Sequence, residues 1–238
     1  MKEIVGDLWA QPADAICVTT NGHVTTAGRA VMGRGCAKEA TQKVPGIQQT
    51  LGKMIQTYGN KVTRLAIYNG KCIVAFPVKS EGEVCTVKQD NVVVHMKHQF
   101  RPGHMVPGWA CKARLDIIEE SCKLLVELAH LKKWTKVILP RPGCGYGELH
   151  YDDVRPILER HLDDRFYIIT KPRRGKMEID KIFCPSCQWH LPYDEPKYFP
   201  QLVTPWGENG VIIQCENCKT QFQLIEKVKR TYEFGGIE

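Results

Sequence analysis

Two cysteine pairs near the C-terminus have the spacing of a metal site. They are Cys184-Pro185-Ser186-Cys187 and Cys215-Glu216-Asn217-Cys218, with 27 residues between Cys187 and Cys215. A CxxC turn presents two thiolates on one side, and two such turns close a tetrahedral shell of soft ligands around Zn2+. Four thiolates leave no open position, so the spacing predicts a structural zinc. His190 reads as a surface histidine, not as a replacement ligand. A second kind of chemistry lies in two glycine segments. One is Val31-Met32-Gly33-Arg34-Gly35-Cys36-Ala37, just before a helical pattern. The other is Pro140-Arg141-Pro142-Gly143-Cys144-Gly145-Tyr146-Gly147-Glu148-Leu149, just after a strand pattern. Glycines let the backbone approach a ligand and aim several N–H groups at one point, and a helix N-terminus adds partial positive charge there. Either loop alone is a plain turn. Two at the carboxyl ends of neighbouring strands would cradle a pyrophosphate.

The elements that must position these loops alternate in type. Strand patterns cover Ile4 to Trp9, Ala15 to Thr20, Leu65 to Tyr68 and Cys72 to Phe76, with a turn at Asn69-Gly70 between the last two. Cys36 to Tyr58 is helical with an interruption at Pro45-Gly46. Leu115 to Leu131 is the clearest amphipathic helix, with apolar residues at Leu115, Ile118, Cys122, Leu125 and Leu128. Lys136 to Pro140 is a strand, Asp153 to Leu162 a helix, and Phe166 to Ile169 a final strand. Residues 80–110 are irregular, with only Asn91 to Val94 strand-like. His95, His98 and His104 within them, with Cys111 just after, match no common zinc set, and the stretch reads as a loop over the groove. Alternating strands and helices predict an α/β sandwich with a mostly parallel sheet. A basic run from Lys171 to Lys176 then breaks the pattern, and cysteine pairs and short β-type runs follow it.

The 238 residues are 43% hydrophobic and 25% charged, the balance of a folded globular chain. Eleven cysteines, an odd number, with no apolar leader and no run long enough to span a bilayer, point to reduced thiols in a cytoplasmic protein. The net charge of +7 is uneven. Residues 1–172 hold 24 basic and 17 acidic side chains, and residues 173–238 hold 9 of each. Any attraction to phosphates therefore lies in the first part.

The glycine loops, in this order, resemble those of the macrodomain superfamily of ADP-ribose-binding α/β/α modules. Gly6-Asp7-Leu8 resembles its adenine-binding segment, Thr20-Asn21-Gly22 the segment entering the distal-ribose site, and Met32 to Ala37 and Gly143 to Gly147 its two phosphate loops. The resemblance covers about seven tenths of the chain. It implies a three-layer macrodomain over 1–172; the basic run marks a linker over 173–181, and the two CxxC pairs with their strand-like flanks a zinc ribbon over 182–238. It also implies a ligand site made by Asp7, Leu8, Thr20, Asn21, Met32, Gly33, Arg34, Gly35, Cys36, Ala37, Pro142, Gly143, Cys144, Gly145, Tyr146 and Gly147. Within the superfamily the chain is most similar to the branch holding the DarG antitoxins and the terminal ADP-ribose hydrolase of animals. Phe76-Pro77-Val78-Lys79 resembles that branch's strand-end motif, which makes Lys79 the expected catalytic residue. The animal enzyme pairs its lysine with an aspartate where this chain has Gly147, and Glu148 comes one step later; the DarG type has glycine there. The expected activity is removal of ADP-ribose from a nucleobase of DNA or from an acidic side chain. The alternative is a module that binds ADP-ribose, or a related nucleotide, without chemistry.

Overall fold

A computed structural model describes residues 1–171, residues 186, 218 and 219, and three strands at 211–214, 221–226 and 232–235. The chain divides into two compact units, Met1–Arg173 and Arg174–Glu238.

The first unit holds eight strands and four α-helices. The strands are β1 (Lys2–Val5), β2 (Ala15–Asn21), β3 (Thr63–Tyr68), β4 (Lys71–Lys79), β5 (Gly82–Val84), β6 (Met105–Pro107), β7 (Val137–Pro140) and β8 (Phe166–Thr170). The helices are α1 (Gly35–Lys43), α2 (Ile47–Tyr58), α3 (Leu115–Leu131) and α4 (Tyr151–His161). Six strands form one sheet in the order β1-β8-β7-β2-β4-β3. Every pair is parallel except β3 with β4.

Period-two alternation gives the sheet two apolar faces, as a buried parallel sheet requires. Ala15, Cys17, Val74, Phe76, Val137, Leu139, Phe166 and Ile168 pack on α3 and α4 through Ile118, Cys122, Leu125, Val154 and Leu158. Ile16, Val18, Ile73, Ala75, Ile138 and Ile169 pack on α1 and α2 through Ala40, Ile47, Leu51 and Ile55. The fold is thus three layers, with a helix pair on each side of a mostly parallel sheet.

Most elements fall where the sequence puts them. The helical stretch breaks between Lys43 and Ile47, with Gly46 at φ +82°. Three expectations change. The first strand ends at Val5, because the next residues turn and the Asp7 carboxylate accepts the Trp9 N–H. The fourth helix begins at Tyr151, where Asp152 and Asp153 favour the first turn. Residues 80–112 are not irregular. The strands β5 and β6 pair as an antiparallel hairpin, and Val94–Gln99 form a 3-10 helix. Cys85, Val92, Val106, Ala110 and Cys111 make a small core beneath them. Asn91 to Val94 contribute no strand, only one bridge from Val92 to Cys111.

In the second unit, β9 (Val211–Gln214), β10 (Gln221–Glu226) and β11 (Tyr232–Gly235) form an antiparallel sheet in the order β11-β10-β9. Gln214 pairs with Gln221, so residues 215–220 are the connection between two hairpin strands. Cys184, Cys187 and Cys215 lie outside the described residues, as do the linker at 173–181 and His190; Cys218 is an exposed turn residue.

Candidate functional site

The carboxyl ends of β2, β4 and β7 open onto one cleft of about 500 Å3 in the first unit. Its size suits a small organic ligand, and its place is the usual ligand crevice of an α/β sheet. Both glycine segments line it. From the first come Met32, Gly33, Arg34, Gly35, Cys36 and Ala37, and from the second Gly143, Gly145, Tyr146 and Gly147. Leu8, Thr20, Asn21 and Lys79 complete the set that the sequence singled out. Asp7, Pro142 and Cys144 are not in the lining. Asp7 is exposed beside Leu8, and the Cys144 thiol turns back to the Pro142 carbonyl at 3.3 Å.

Each loop offers open donors. Arg34 is the N-cap of α1 and makes no side-chain cap bond; Lys38 donates its N–H to the Arg34 carbonyl at 3.2 Å, and the N–H groups of Gly35 and Ala37, both lining the cleft, have no acceptor among the described residues. In the second loop, Cys144, Glu148 and Leu149 donate their N–H groups within the loop. Those of Gly145, Tyr146 and Gly147 have no acceptor among the described residues. Consecutive unsatisfied N–H groups form an anion-binding concavity. Gly147 has to be glycine: a Cβ there would lie 2.5 Å from the Gly143 carbonyl oxygen and 2.6 Å from the Ala113 Cβ. Gly145 is different, because a Cβ would meet open space.

Lys79 ends β4. Strand β3 pairs with β4 only as far as Ala75, so Pro77 costs no ladder bond on that side. On the other side a register shift in β2 sets Asn21 against Lys79. The Asn21 amide is spent on the loops, donating to the Val31 carbonyl at 2.8 Å and accepting the His23 N–H at 3.0 Å. Lys79 is only 8% exposed. Its Nζ donates to the Tyr146 carbonyl at 2.9 Å and to the Trp109 carbonyl at 3.4 Å. It makes no ion pair among the described residues. Burial pushes its pKa down to about 8, against opposing pulls from Cys111 and Glu148. A lysine in this state carries an appreciable neutral fraction near neutrality. The Thr20 hydroxyl, also buried at the cleft, has no hydrogen-bond partner, which is the state of a group awaiting a ligand.

Sequence reasoning missed Glu39, Arg141, Lys171, His95, Met96 and Trp109 as lining residues. Lys171 follows β8, and Arg141 lies inside the quoted loop, so strand ends were a usable signal for both. Glu39 accepts the Trp9 indole N–H at 2.7 Å and pairs with Lys171. The segment 80–112 between β4 and α3, the insertion from here on, supplies the other three. The Arg34 guanidinium lies 5.1 Å over the Tyr146 ring, and the His95 ring meets that ring edge-on at 6.4 Å. The two glycine loops and the insertion therefore touch across the cleft. Burial holds the Cys36 thiol protonated, and Thr19 shares a 3.3 Å hydrogen bond with it.

DarTG of Thermosipho africanus, solved in complex with ADP-ribose, superposes with a TM-score of 0.51 and 18% identity. The match covers 74% of this chain and 43% of that one. The fold is macrodomain-like. A protein of unknown function from Bacteroides thetaiotaomicron superposes at 0.50 with 14% identity, over 72% of this chain and 97% of its own. The macrodomain of Thermus aquaticus DarG gives 0.49 and 22%, again over 72% and 97%. No family model and no curated protein sequence matches the chain. Among the described residues, no helix is long and apolar enough to cross a membrane.

Proposed function

We propose that the first unit binds ADP-ribose and hydrolyses its bond to a modified group, a nucleobase of DNA or an acidic side chain. The observation that carries this reading is Lys79: buried, unpaired by any carboxylate among the described residues, with its pKa down at about 8, and in one cleft with both glycine loops. The open N–H groups of the two loops suit a pyrophosphate. Leu8 with Asp7 beside it suits the adenine end, and Thr20 and Asn21 the distal ribose.

In this mechanism the neutral Lys79 Nζ attacks C1″ of the distal ribose. The bond from C1″ to the modified group breaks, and its electron pair leaves with that group, which takes up a proton. Water then displaces the lysine, restores the amine and releases ADP-ribose. The carbonyls of Tyr146 and Trp109 orient the amine. The decisive experiment mixes the chain with DNA-linked and glutamate-linked ADP-ribose and measures free ADP-ribose by mass. Release that Lys79→Ala abolishes supports the hydrolase; tight ADP-ribose binding with no release from either substrate supports the binding module. One feature favours that second reading: Gly147 stands where the animal hydrolase that the chain resembles carries the aspartate paired with its lysine.

For the second unit we propose a structural zinc held by Cys184, Cys187, Cys215 and Cys218. What supports it is the spacing of the two CxxC pairs, the second of which follows directly on the strand Val211–Gln214. When bound, the metal would cross-link the small unit and supply folding energy. Metal analysis of protein never exposed to chelator tests it, with about one zinc per chain expected.

A further inference from the structure

Glu148 follows the second glycine loop with φ at +61°. A non-glycine residue holds that left-handed conformation only where its surroundings fix it. Here the side chain reaches into the insertion. Its Oε1 accepts the Val94 N–H at 2.7 Å, and its Oε2 lies 3.5 Å from Lys112 Nζ. Val94 opens the 3-10 helix that brings His95 and Met96 to the cleft, and Lys112 stands where the insertion rejoins the core. The Ala113 N–H closes the same seam by donating to the Gly147 carbonyl at 2.9 Å.

Lys79 is held across that seam. One of its acceptors, the Tyr146 carbonyl, belongs to the glycine loop, two residues before Glu148. The other, the Trp109 carbonyl, belongs to the insertion, three residues before Lys112. A neutral amine has two N–H bonds and one lone pair. With both N–H bonds directed at fixed carbonyls, the lone pair has one direction left. We infer that Glu148 is a positioning residue, fastening the 80–112 insertion to the second glycine loop and so fixing the two carbonyls that aim the Lys79 amine. This rests on Lys79 being the reacting group.

Two variants cut the link at opposite ends. Val94→Pro deletes only the N–H. Residue 94 is the first of its helical turn, Val93 before it is already extended (φ −62°, ψ 139°), and the Val94 side chain is 64% exposed. Glu148→Ala deletes the acceptor, and Glu148→Gln keeps an acceptor for Val94 while losing the ion pair. In the full chain, Val94→Pro and Glu148→Ala should each speed amide hydrogen exchange across residues 86–112. Each should also shift the Lys79 13Cε resonance. Release of ADP-ribose should slow by ~10-fold at saturating substrate with KM changed by less than ~2-fold, and Glu148→Gln should recover most of the rate. The double variant Val94→Pro with Glu148→Ala should be no slower than Glu148→Ala alone, because Glu148→Ala already removes the contact that Val94→Pro breaks. Unchanged exchange and an unmoved resonance in both variants overturn the inference. So does a loss that falls on KM, or losses that multiply in the double variant. If the wild-type chain releases no ADP-ribose, the hydrolase reading fails, and the exchange and resonance measurements alone decide whether Glu148 is the clamp.

Discussion

Replacing Lys79 by methionine should stabilise the first unit near neutral pH, and the gain should shrink as the pH rises. Lys79 is buried, and its pKa falls from 10.5 to about 8. At ~1.4 kcal/mol per pKa unit, holding the ammonium in the folded state costs about 3 kcal/mol at pH 7. Methionine removes that cost and fills most of the same space. It also leaves the carbonyls of Tyr146 and Trp109 without their donor, a loss of ~1 kcal/mol each, softened by cleft water. The net gain at pH 7 is therefore ~1–2 kcal/mol. The sign with pH follows from linkage. Between the folded pKa and the unfolded one, the unfolded chain binds more protons, so the wild-type protein gains stability as pH rises through that window. At pH 9.5 only ~1 kcal/mol of the original cost remains, and the advantage of methionine should drop by ~2 kcal/mol. That difference does not depend on the size of the hydrogen-bond loss. Urea unfolding with reductant, followed by circular dichroism at 222 nm, reads the first unit, because every helix among the described residues lies there. A gap between the two proteins that stays constant within ~0.5 kcal/mol from pH 7 to 9.5 would refute a depressed Lys79 pKa.

Lys79→Ala should leave the ADP-ribose Kd within a few-fold of wild type, by calorimetry, while release from ADP-ribosylated substrate falls by ~10²-fold or more. The wild-type rate at saturating substrate should rise with pH up to about 8 and then level, as the free amine becomes the main form; a flat profile from pH 6 to 9 would point to a purely electrostatic lysine. Gly145→Val should fold normally, since its Cβ meets open space, and lose ADP-ribose binding; Gly147→Ala should lower the melting temperature, because its Cβ collides with the Gly143 carbonyl and Ala113. Chelation should strip ~1 zinc per chain and melt the second unit while the helical signal of the first persists.

Much of this architecture is legible in the residues because it depends on local pattern. Unbroken apolar runs in Ala15 to Val18, Cys72 to Phe76 and Val137 to Leu139 announce strands buried on both faces. The 3.6-residue spacing from Leu115 to Leu128 announces a helix. The glycines at 143, 145 and 147 mark a loop whose backbone must come close to something. Sequence alone did not decide what long-range contact decides. Residues 80–112 lack any strong period because their small core is built from Cys85, Val92, Val106, Ala110 and Cys111, residues scattered along the segment. The Phe76 to Lys79 motif singles out Lys79, but its burial appears only once β4 outruns β3 and the insertion and the second loop close over it. Its depressed pKa is a property of that enclosure. Asp7 and Glu148 show the same limit from the other side. The residue type supplies a carboxylate, but its orientation follows from the donor that folding provides. For Asp7 that donor is the Trp9 N–H, and for Glu148 it is Val94, 54 residues away along the chain.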